Sequence, residues 1–507
     1  MFDTNLMLQG LKGICSPIGF VLMFLGVFCG SVFGAIPGLT GGIAIAILLP
    51  LTFKLNAVHA MALLIGVYVG GAYGGSIPAI LFGTPGAPEA GVTSFDGYPL
   101  MKQGKGRKAL NAALYASCAG NFLASIITIT MMVGVSKLAL MMDAPDYFAI
   151  VVFSIVLIAT IGCKESWIKG LISVLIGLTV GFIGGDPITG TLRFTFGNRY
   201  LMSGLDLIPV LIGLFVGSEI LAEAGREHKR ERITVKQFKE NNKFTKEEVK
   251  GCVTPVLTGS VIGSIIGALP GLNAAISATL NYSVTKKLSK DPDSFGEGNV
   301  IGVAAAESAN NATAGPTLVP LLTLGIPGSG TAAIFLGALT IQGIVPGPTI
   351  FRDAGDVVYG IFFSLMICTF ILLIIGKFLT SGASFISFVP TEVLNPIIIL
   401  TCCSGAFSVN NRISDVYILL VFMVIGYLMK VVKLPTLPLL ISFLLGKMME
   451  SNFRRSLLLS KNDYKIFFTS KFGGFFLGVS LLMILYTIFA PIIKKQIQKK
   501  KEGKNVS

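Results

Sequence analysis

The chain has 507 residues, 53% of them hydrophobic and 13% charged, with a mean hydropathy of +0.78. A water-soluble domain carries roughly a quarter charged residues, so a soluble fold is excluded and an integral membrane protein is implied. The net charge of +14 sits in short loops and in the C-terminal tail, as the positive-inside rule requires, and not on a nucleic-acid surface. Glycine is abundant, at 60 residues, and lets membrane helices approach closely. The eight cysteines are scattered without a C-x-x-C, and His59 and His228 have no second histidine at ligand spacing; no cofactor or resident metal is expected. No G-x-S-x-G and no P-loop occur, and no serine has an evident His partner, so neither an enzyme nor an ATP-driven pump is expected. Met1–Lys12 lacks the features of a cleaved leader.

In chain order, Ser16 to Ile36 is the first apolar run, cut by Pro37-Gly38 and resumed from Thr40 to Leu51. Proline removes a backbone donor and glycine adds freedom, so the helix breaks there. Each arm is too short for a comfortable crossing of about 20 residues, and the pair reads as a re-entrant hairpin. Ala57 to Gly75 is a full crossing ending in Gly70-Gly71-Ala72-Tyr73-Gly74-Gly75-Ser76. A second broken run follows with Gly83-Thr84-Pro85-Gly86, then Asp96-Gly97-Tyr98-Pro99, in which Asp96 is expected to start a turn. The loop after it carries Lys102, Lys105, Arg107 and Lys108. Crossings are expected at about 109–135, 147–163, 166–184 and 205–221, and residues 223–250 form a basic linker.

The second half repeats the first. Gly30-Ser-Val-Phe-Gly-Ala-Ile-Pro-Gly-Leu-Thr40 and Gly263-Ser-Ile-Ile-Gly-Ala-Leu-Pro-Gly-Leu-Asn273 share seven of eleven positions. Pro78 through Gly83-Thr-Pro-Gly86 matches Pro320 through Gly325-Ile-Pro-Gly328. The run Glu307-Ser308-Ala309-Asn310-Asn311-Ala312 ends an apolar crossing between them. After Pro346-Gly347-Pro348, crossings are expected at about 356–379, 383–401, 414–430, 433–447 and 470–493, before a lysine-rich tail.

Loop charge gives the orientation. In the first half the loop after the first hairpin holds Lys54 alone and the loop after the second holds four basic residues. In the second half the order reverses, with Lys286, Lys287 and Lys290 first and Arg352 among Asp353 and Asp356 second. The same element thus faces opposite sides in the two halves. The expected fold is an all-α polytopic membrane protein with an inverted two-fold repeat, broken helices or re-entrant hairpins at matching positions, and about 10–14 membrane segments. Its parts are repeat 1–222, cytoplasmic linker 223–250, repeat 251–470, and an extra helix with a basic cytoplasmic tail, 471–507. The N-terminus is expected outside, in a multi-pass protein of the cytoplasmic (inner) membrane.

Helices that restart after a break present free backbone donors and partial positive charge. The restarts lie at Thr40, Ala87, Asn273 and Ser329. No Lys or Arg lies inside the broken motifs, so a small organic anion must rely on helix ends, hydroxyls and a co-bound cation. The expected substrate-binding residues are Gly38, Leu39, Thr40, Gly41, Tyr73, Gly75, Ser76, Pro85, Gly86, Gly271, Asn273, Gly328 and Ser329. Glu307, Ser308, Asn310 and Asn311 are the expected cation ligands, because an ionisable group in an apolar run is costly and functional. The Gly26…Gly30…Gly34 spacing reads as helix packing, with Gly26→Ala expected to be mild.

These motifs resemble the TctA family, the large permease subunit of tripartite tricarboxylate transporters. The matching residues are Pro37-Gly38-Leu39, Gly74-Gly75-Ser76-Ile77 through Pro85-Gly86, Asp96-Gly97-Tyr98-Pro99, Glu307 through Ala312, Pro320 through Gly328 and Gly343 through Pro348. Thr40-Gly41-Gly42 and Gly83-Thr84 depart from the family's usual residues. The resemblance implies Na⁺- or H⁺-coupled uptake of a carboxylate such as a tricarboxylate or dicarboxylate. It also implies an extracytoplasmic solute-binding protein and a small membrane subunit as partners. The alternative is a secondary transporter for another small solute, working without a binding protein.

Overall fold

The computed structural model describes residues 4–36, 39–160, 166–186, 188–224, 243–386 and 391–504. Pro37 and Gly38 of the first break, residues 161–163 of an expected crossing, and residues 225–242 of the linker lie outside them. The apolar runs fold as helices in this order: α1 Thr4–Ile14, α2 Pro17–Gly34, α3 Gly41–Leu48, α4 Ala57–Gly74, α5 Ser76–Phe82, α6 Thr93–Lys102, α7 Gly106–Ala139, α8 Ala144–Thr160, α9 Trp167–Gly181 and α10 Arg199–Met202. Next come α11 Leu207–Leu211 and α12 Ser218–Ala224, joined by a π-helical turn, then α13 Lys246–Ala268, α14 Ala274–Leu288, α15 Val300–Asn311, α16 Leu318–Leu324 and α17 Gly330–Ile341. The chain ends with α18 Ile350–Asp353, α19 Gly355–Ile386, α20 Thr391–Asn410, α21 Ile413–Val431, α22 Thr436–Leu459, α23 Ile466–Thr469 and α24 Gly473–Lys504. Among the described residues six helical stretches are long and apolar enough to cross a membrane. They are Pro17–Gly34, Ala57–Phe82, Gly106–Ala139, Lys246–Ala268, Gly355–Ser381 and Ile413–Val431. Pro17–Gly34 and Lys246–Ala268, expected as short arms of re-entrant hairpins, are thus each long enough to cross, which corrects that expectation. The other expected crossings fall on shorter apolar helices, except 433–447, which falls in the 24-residue α22.

Two compact units emerge, residues 1–140 with 206–428, and residues 141–205 with 429–507. In the first unit, glycines set the spacing of the helices. A Cβ on Gly30 would lie 2.2 Å from the Val67 carbonyl oxygen, and one on Gly34 would lie 2.7 Å from that of Gly71. In the second half, Gly263 stands 2.7 Å by the same measure from Ala309 O, and Gly267 2.7 Å from Thr313 O. Gly263 follows Gly30 by 233 residues and Ala309 follows Val67 by 242, the offsets of the sequence motifs themselves. The helix before each Pro-Gly break therefore packs against the same stretch of its own half, through the same positions. Gly26 corrects an expectation: a Cβ there would lie 2.2 Å from Leu63 O, a backbone atom with little room to yield, so alanine is not mild.

The duplicated breaks keep their local geometry. Gly83 and Gly325 both end a seven-residue helix in the left-handed region, at φ 69° and 72°, which favours glycine at a helix end. Thr40, Asn273 and Ser329 cap α3, α14 and α17, accepting from the backbone N–H three residues on at 3.3, 3.2 and 3.1 Å. The fourth restart differs. Ala87 has no side-chain cap and leads only into a 3₁₀ turn, Pro88–Gly91; Pro88 cannot donate, and helix resumes at Thr93.

Two boundaries also differ from expectation. The crossing that ends at Ala312 is only the twelve-residue α15. Gly315-Pro316 stops it, because proline lacks the donor needed to continue, and residues 312–317 run as turns. Conversely, α19 continues past 379. The Thr380 and Ser381 hydroxyls both donate to Lys377 O, at 2.9 and 3.0 Å, which keeps their polarity local.

The second unit packs α22 on α9. Gly177 makes this possible, since a Cβ there would lie 2.2 Å from Leu439 O. Asp146 accepts from the Phe472 and Gly473 backbone at 2.9 and 2.8 Å and so fixes the start of α24. Between α9 and α10, β1 (Gly184–Gly185) pairs antiparallel with β2 (Leu192–Arg193). Asp186 and Arg193 from this ribbon join Glu450 and Arg454 of α22 in one ion network. These pairs give the polar end of α22 its partners, so the helix runs to Leu459 and not to the expected 447.

Candidate functional site

The polar centre of the first unit is Glu307, which is completely buried in α15. Four side chains hold its carboxylate. Ser76 donates to Oε1 at 2.5 Å, Thr93 donates to the same oxygen, and Ser117 donates to Oε2 at 2.9 Å. Asn311, one turn on, donates from Nδ2 to Ser117 Oγ at 2.8 Å and to Oε2 at 3.4 Å. No Lys or Arg pairs with Glu307 among the described residues. Three elements of the first half, α5, α6 and α7, thus close on one carboxylate of the second half.

Local structure explains the convergence. A Cβ on Gly120 would lie 2.3 Å from Ser308 O, so the backbones of α7 and α15 touch there. Ser117, one turn earlier on α7, is thereby brought against Glu307. The left-handed Gly83 ends α5, and Gly86 N–H returns to Gly75 O at 3.0 Å. That folds the chain back so that Thr93, at the start of α6, meets the same carboxylate as Ser76. Asp96, one turn along α6, fixes the helix. It is buried, accepts Tyr282 Oη at 2.8 Å, and accepts the backbone N–H of Gly296, Gly298 and Asn299 at 2.8, 3.1 and 2.8 Å. A Cβ on Gly302 would overlap Asp96 Oδ2 at 2.1 Å. The expectation that Asp96 merely starts a turn is corrected: it clamps α6 to the loop before α15.

The other expected cation ligands separate. Ser308 donates to Pro255 O at 3.2 Å and to Ala305 O at 3.3 Å, in the seam with α13. Asn310 is buried, and its Nδ2 has no hydrogen-bond partner. Glu307 and Asn311 share a cluster; Ser308 and Asn310 lie outside it. Tyr73 is also fully buried with an unpartnered hydroxyl, and Glu307 is among the ionisable groups near it.

The expected anion-binding residues form a second group. A Cβ on Gly42, in the first turn of α3, would lie 3.2 Å from Thr331 Oγ1, in the first turn of α17. Gly271 N–H donates to Gly328 O at 3.0 Å, tying the break before α14 to the break before α17. The starts of α3, α14 and α17, at Thr40, Asn273 and Ser329, are partly exposed. Gly41 abuts Gly71, and Leu39 is buried with its N–H on Ile36 O. Gly86 is buried with a Cβ position 2.4 Å from Gly34 O, Gly75 lies beside Ala87, and Pro85 is exposed. Gly38 lies outside the described residues. Each cap already takes one N–H, so fewer donors are free at these ends than the sequence alone implies. Sequence reasoning missed Thr93 and Ser117. Ser117 is a lone serine in an ordinary helical run, with no signal. Thr93 follows the second break, and that position was its only clue.

Fold and site together define a polytopic helical membrane protein holding an ionisable side chain in its interior. The tripartite tricarboxylate transporter TctA family matches residues 20–441, and the chain belongs to that family. It is the large subunit of a tripartite tricarboxylate transporter, a transport protein and not an enzyme, and the family implies an associated binding protein and a small subunit. The chain is 34% identical over 493 residues to an uncharacterized 52.8 kDa protein in the TAR-I ttuC' 3' region of Agrobacterium vitis, covering 97% of each. A second protein of that organism, in the TAR-II ttuC' 3' region, is 36% identical over 218 residues, which is 43% of this chain and 90% of that protein. No solved structure matches.

Proposed function

We propose that this subunit takes up a small carboxylate delivered by an extracytoplasmic binding protein across the cytoplasmic membrane, and that Na⁺ or H⁺ drives it by binding at Glu307. The observation that carries this reading is a buried carboxylate held only by neutral donors. A charge in that setting is costly without compensation. A proton on Glu307, or Na⁺ among the oxygens of Glu307, Ser76, Thr93 and Ser117, removes the cost. The substrate binds at the starts of α3, α14 and α17, where helix dipoles and free N–H groups favour an anion. The two sites are linked through α4, whose Gly71 abuts Gly41 at the start of α3 and whose end leads directly into Ser76. The halves are inverted repeats, 1–222 and 251–470, with the 223–250 linker cytoplasmic and 471–507 an extra membrane helix that ends in a basic cytoplasmic tail. The loop charges and the repeated glycine contacts support this arrangement.

The test is a thermal-shift screen of di- and tricarboxylates with and without Na⁺ and across pH, on the purified subunit with its small subunit and binding protein. Uptake in proteoliposomes then follows for the hits. Carboxylate uptake that needs a cation gradient and the binding protein is expected; a neutral or cationic substrate overturns the reading. Cysteine labelling at Asp3, Lys105, Glu240 and Lys500 tests orientation: position 3 should react from outside and the other three from the cytoplasm.

A further inference from the structure

We propose that an anionic phospholipid occupies a groove on the first unit between α7 and α13, its acyl chain against the groove floor and its headgroup on a rim of basic side chains. The groove holds about 290 Å³. Its floor is Ala112, Ala116 and Ala119 of α7 with Ala304 of α15, and Val253 and Leu257 of α13 form its wall. The alanines make it. Their short side chains do not reach across to Val253 and Leu257, which leaves the slot between the two helices. The wall residues are open to the surroundings, Val253 and Leu257 each at 52% exposure, so the groove faces where bilayer hydrocarbon would lie.

One end of the groove is different in chemistry. Phe244 and Tyr115 form its lip, with ring centroids 6.1 Å apart. Lys108 sits 5.9 Å from the Phe244 ring and pairs with Glu248 at 2.5 Å. Lys377 of α19 lies 5.9 Å from the Tyr115 ring. Lys246 and Lys250 stand on α13 two turns and one turn before the Val253–Leu257 wall, and both are exposed, as are Arg107, Lys243 and Lys377. The acidic groups facing this rim are Glu248, already paired, and Glu247. The excess of positive charge comes from three elements and surrounds one end of an apolar slot. An aromatic lip over such an end is the usual arrangement at a membrane–water interface, and basic pockets between membrane helices select anionic headgroups. A second protein helix would fit the alanine floor equally well, but it would not explain the basic rim.

The experiment is native mass spectrometry of the purified full chain after exchange from mixed phosphatidylglycerol and phosphatidylcholine. The wild type should retain phosphatidylglycerol in preference. Lys246→Ala with Lys250→Ala should lower that preference roughly tenfold and leave phosphatidylcholine retention unchanged. Ala119→Trp, at an exposed position on the groove floor, should lower retention of both lipids at an unchanged melting temperature. Equal retention of the two lipids by the wild type overturns the proposal, as does unchanged retention in the tryptophan variant. So does a photo-crosslinker at Val253 that captures a polypeptide and not lipid in native membranes.

Discussion

Two buried carboxylates, one in each unit, are held in opposite ways. Asp186 has a side chain only 1% exposed; Arg193 and Arg454 donate to it, and the same arginines reach Glu450 at 2.9 and 2.7 Å. Every charge there has an opposite charge in contact, with Asp186 buried and the two arginines 27% and 34% exposed. Glu307 is as deeply buried, yet its donors are three hydroxyls and an amide. A cation that binds there displaces no charged partner. The first arrangement is suited to permanence and the second to exchange. A buried carboxylate thus tells little by itself; the charge of its donors is what distinguishes these two sites.

The sharpest way to break the contrast is Glu307→Gln. The amide keeps the shape of the carboxylate and removes the exchangeable charge. Uptake should fall at least about a hundredfold at normal membrane abundance if Glu307 carries the coupling cation. Gly271→Val comes next. Gly271 sits at φ 85°, where a β-branched residue is strained, and its N–H ties the two second-half breaks. Loss of most transport is expected, read as uptake per folded molecule.

Smaller effects sharpen the comparison. Ser117→Ala deletes one neutral donor and should raise the cation concentration for half-maximal uptake roughly tenfold, with folded yield little changed. Gly26→Ala should act only on stability, at about 1–3 kcal/mol from overpacking against Leu63 O, measured by thermal unfolding. The smallest effect on transport belongs to Asp186. The Ile188 and Thr189 backbone N–H groups, Arg454 and a Thr189 side-chain bond hold its carboxyl well below the ordinary value of 3.8. A lowered folded-state pKa adds stability that is full above the ordinary value and is lost as pH falls below it. Acid unfolding of the second unit below about pH 4 should therefore flatten in Asp186→Asn, while cation dependence of uptake at pH 7 stays as in the wild type.

Much of this was legible in the chain. Pro-Gly breaks at Pro270-Gly271 and Pro327-Gly328, the capping residues Thr40, Asn273 and Ser329, and Glu307 as the lone charge of its own apolar run all follow from residue type and local order. What the sequence hides is which residues meet across the fold. Ser117 reaches Glu307 only because Gly120 lets α7 touch Ser308, and Thr93 only because Gly83 turns the chain. Asp96 looked like a turn residue because its partners, at 282 and 296–299, are remote in sequence. The interruption of α15 at Pro316 was visible as a residue, but a Gly-Pro pair inside a membrane run can kink a helix or end it. Here α15 ends.

Direct cation binding tests the central claim most closely. Isothermal titration of purified wild-type protein and Glu307→Gln with Na⁺, at pH values that span proton binding and in buffers of different ionisation enthalpy, reports Na⁺ uptake and proton exchange together. Binding of Na⁺, or saturable proton exchange, is expected in the wild type and in Asp186→Asn, and neither is expected in Glu307→Gln. Wild-type cation binding retained by Glu307→Gln would contradict the account.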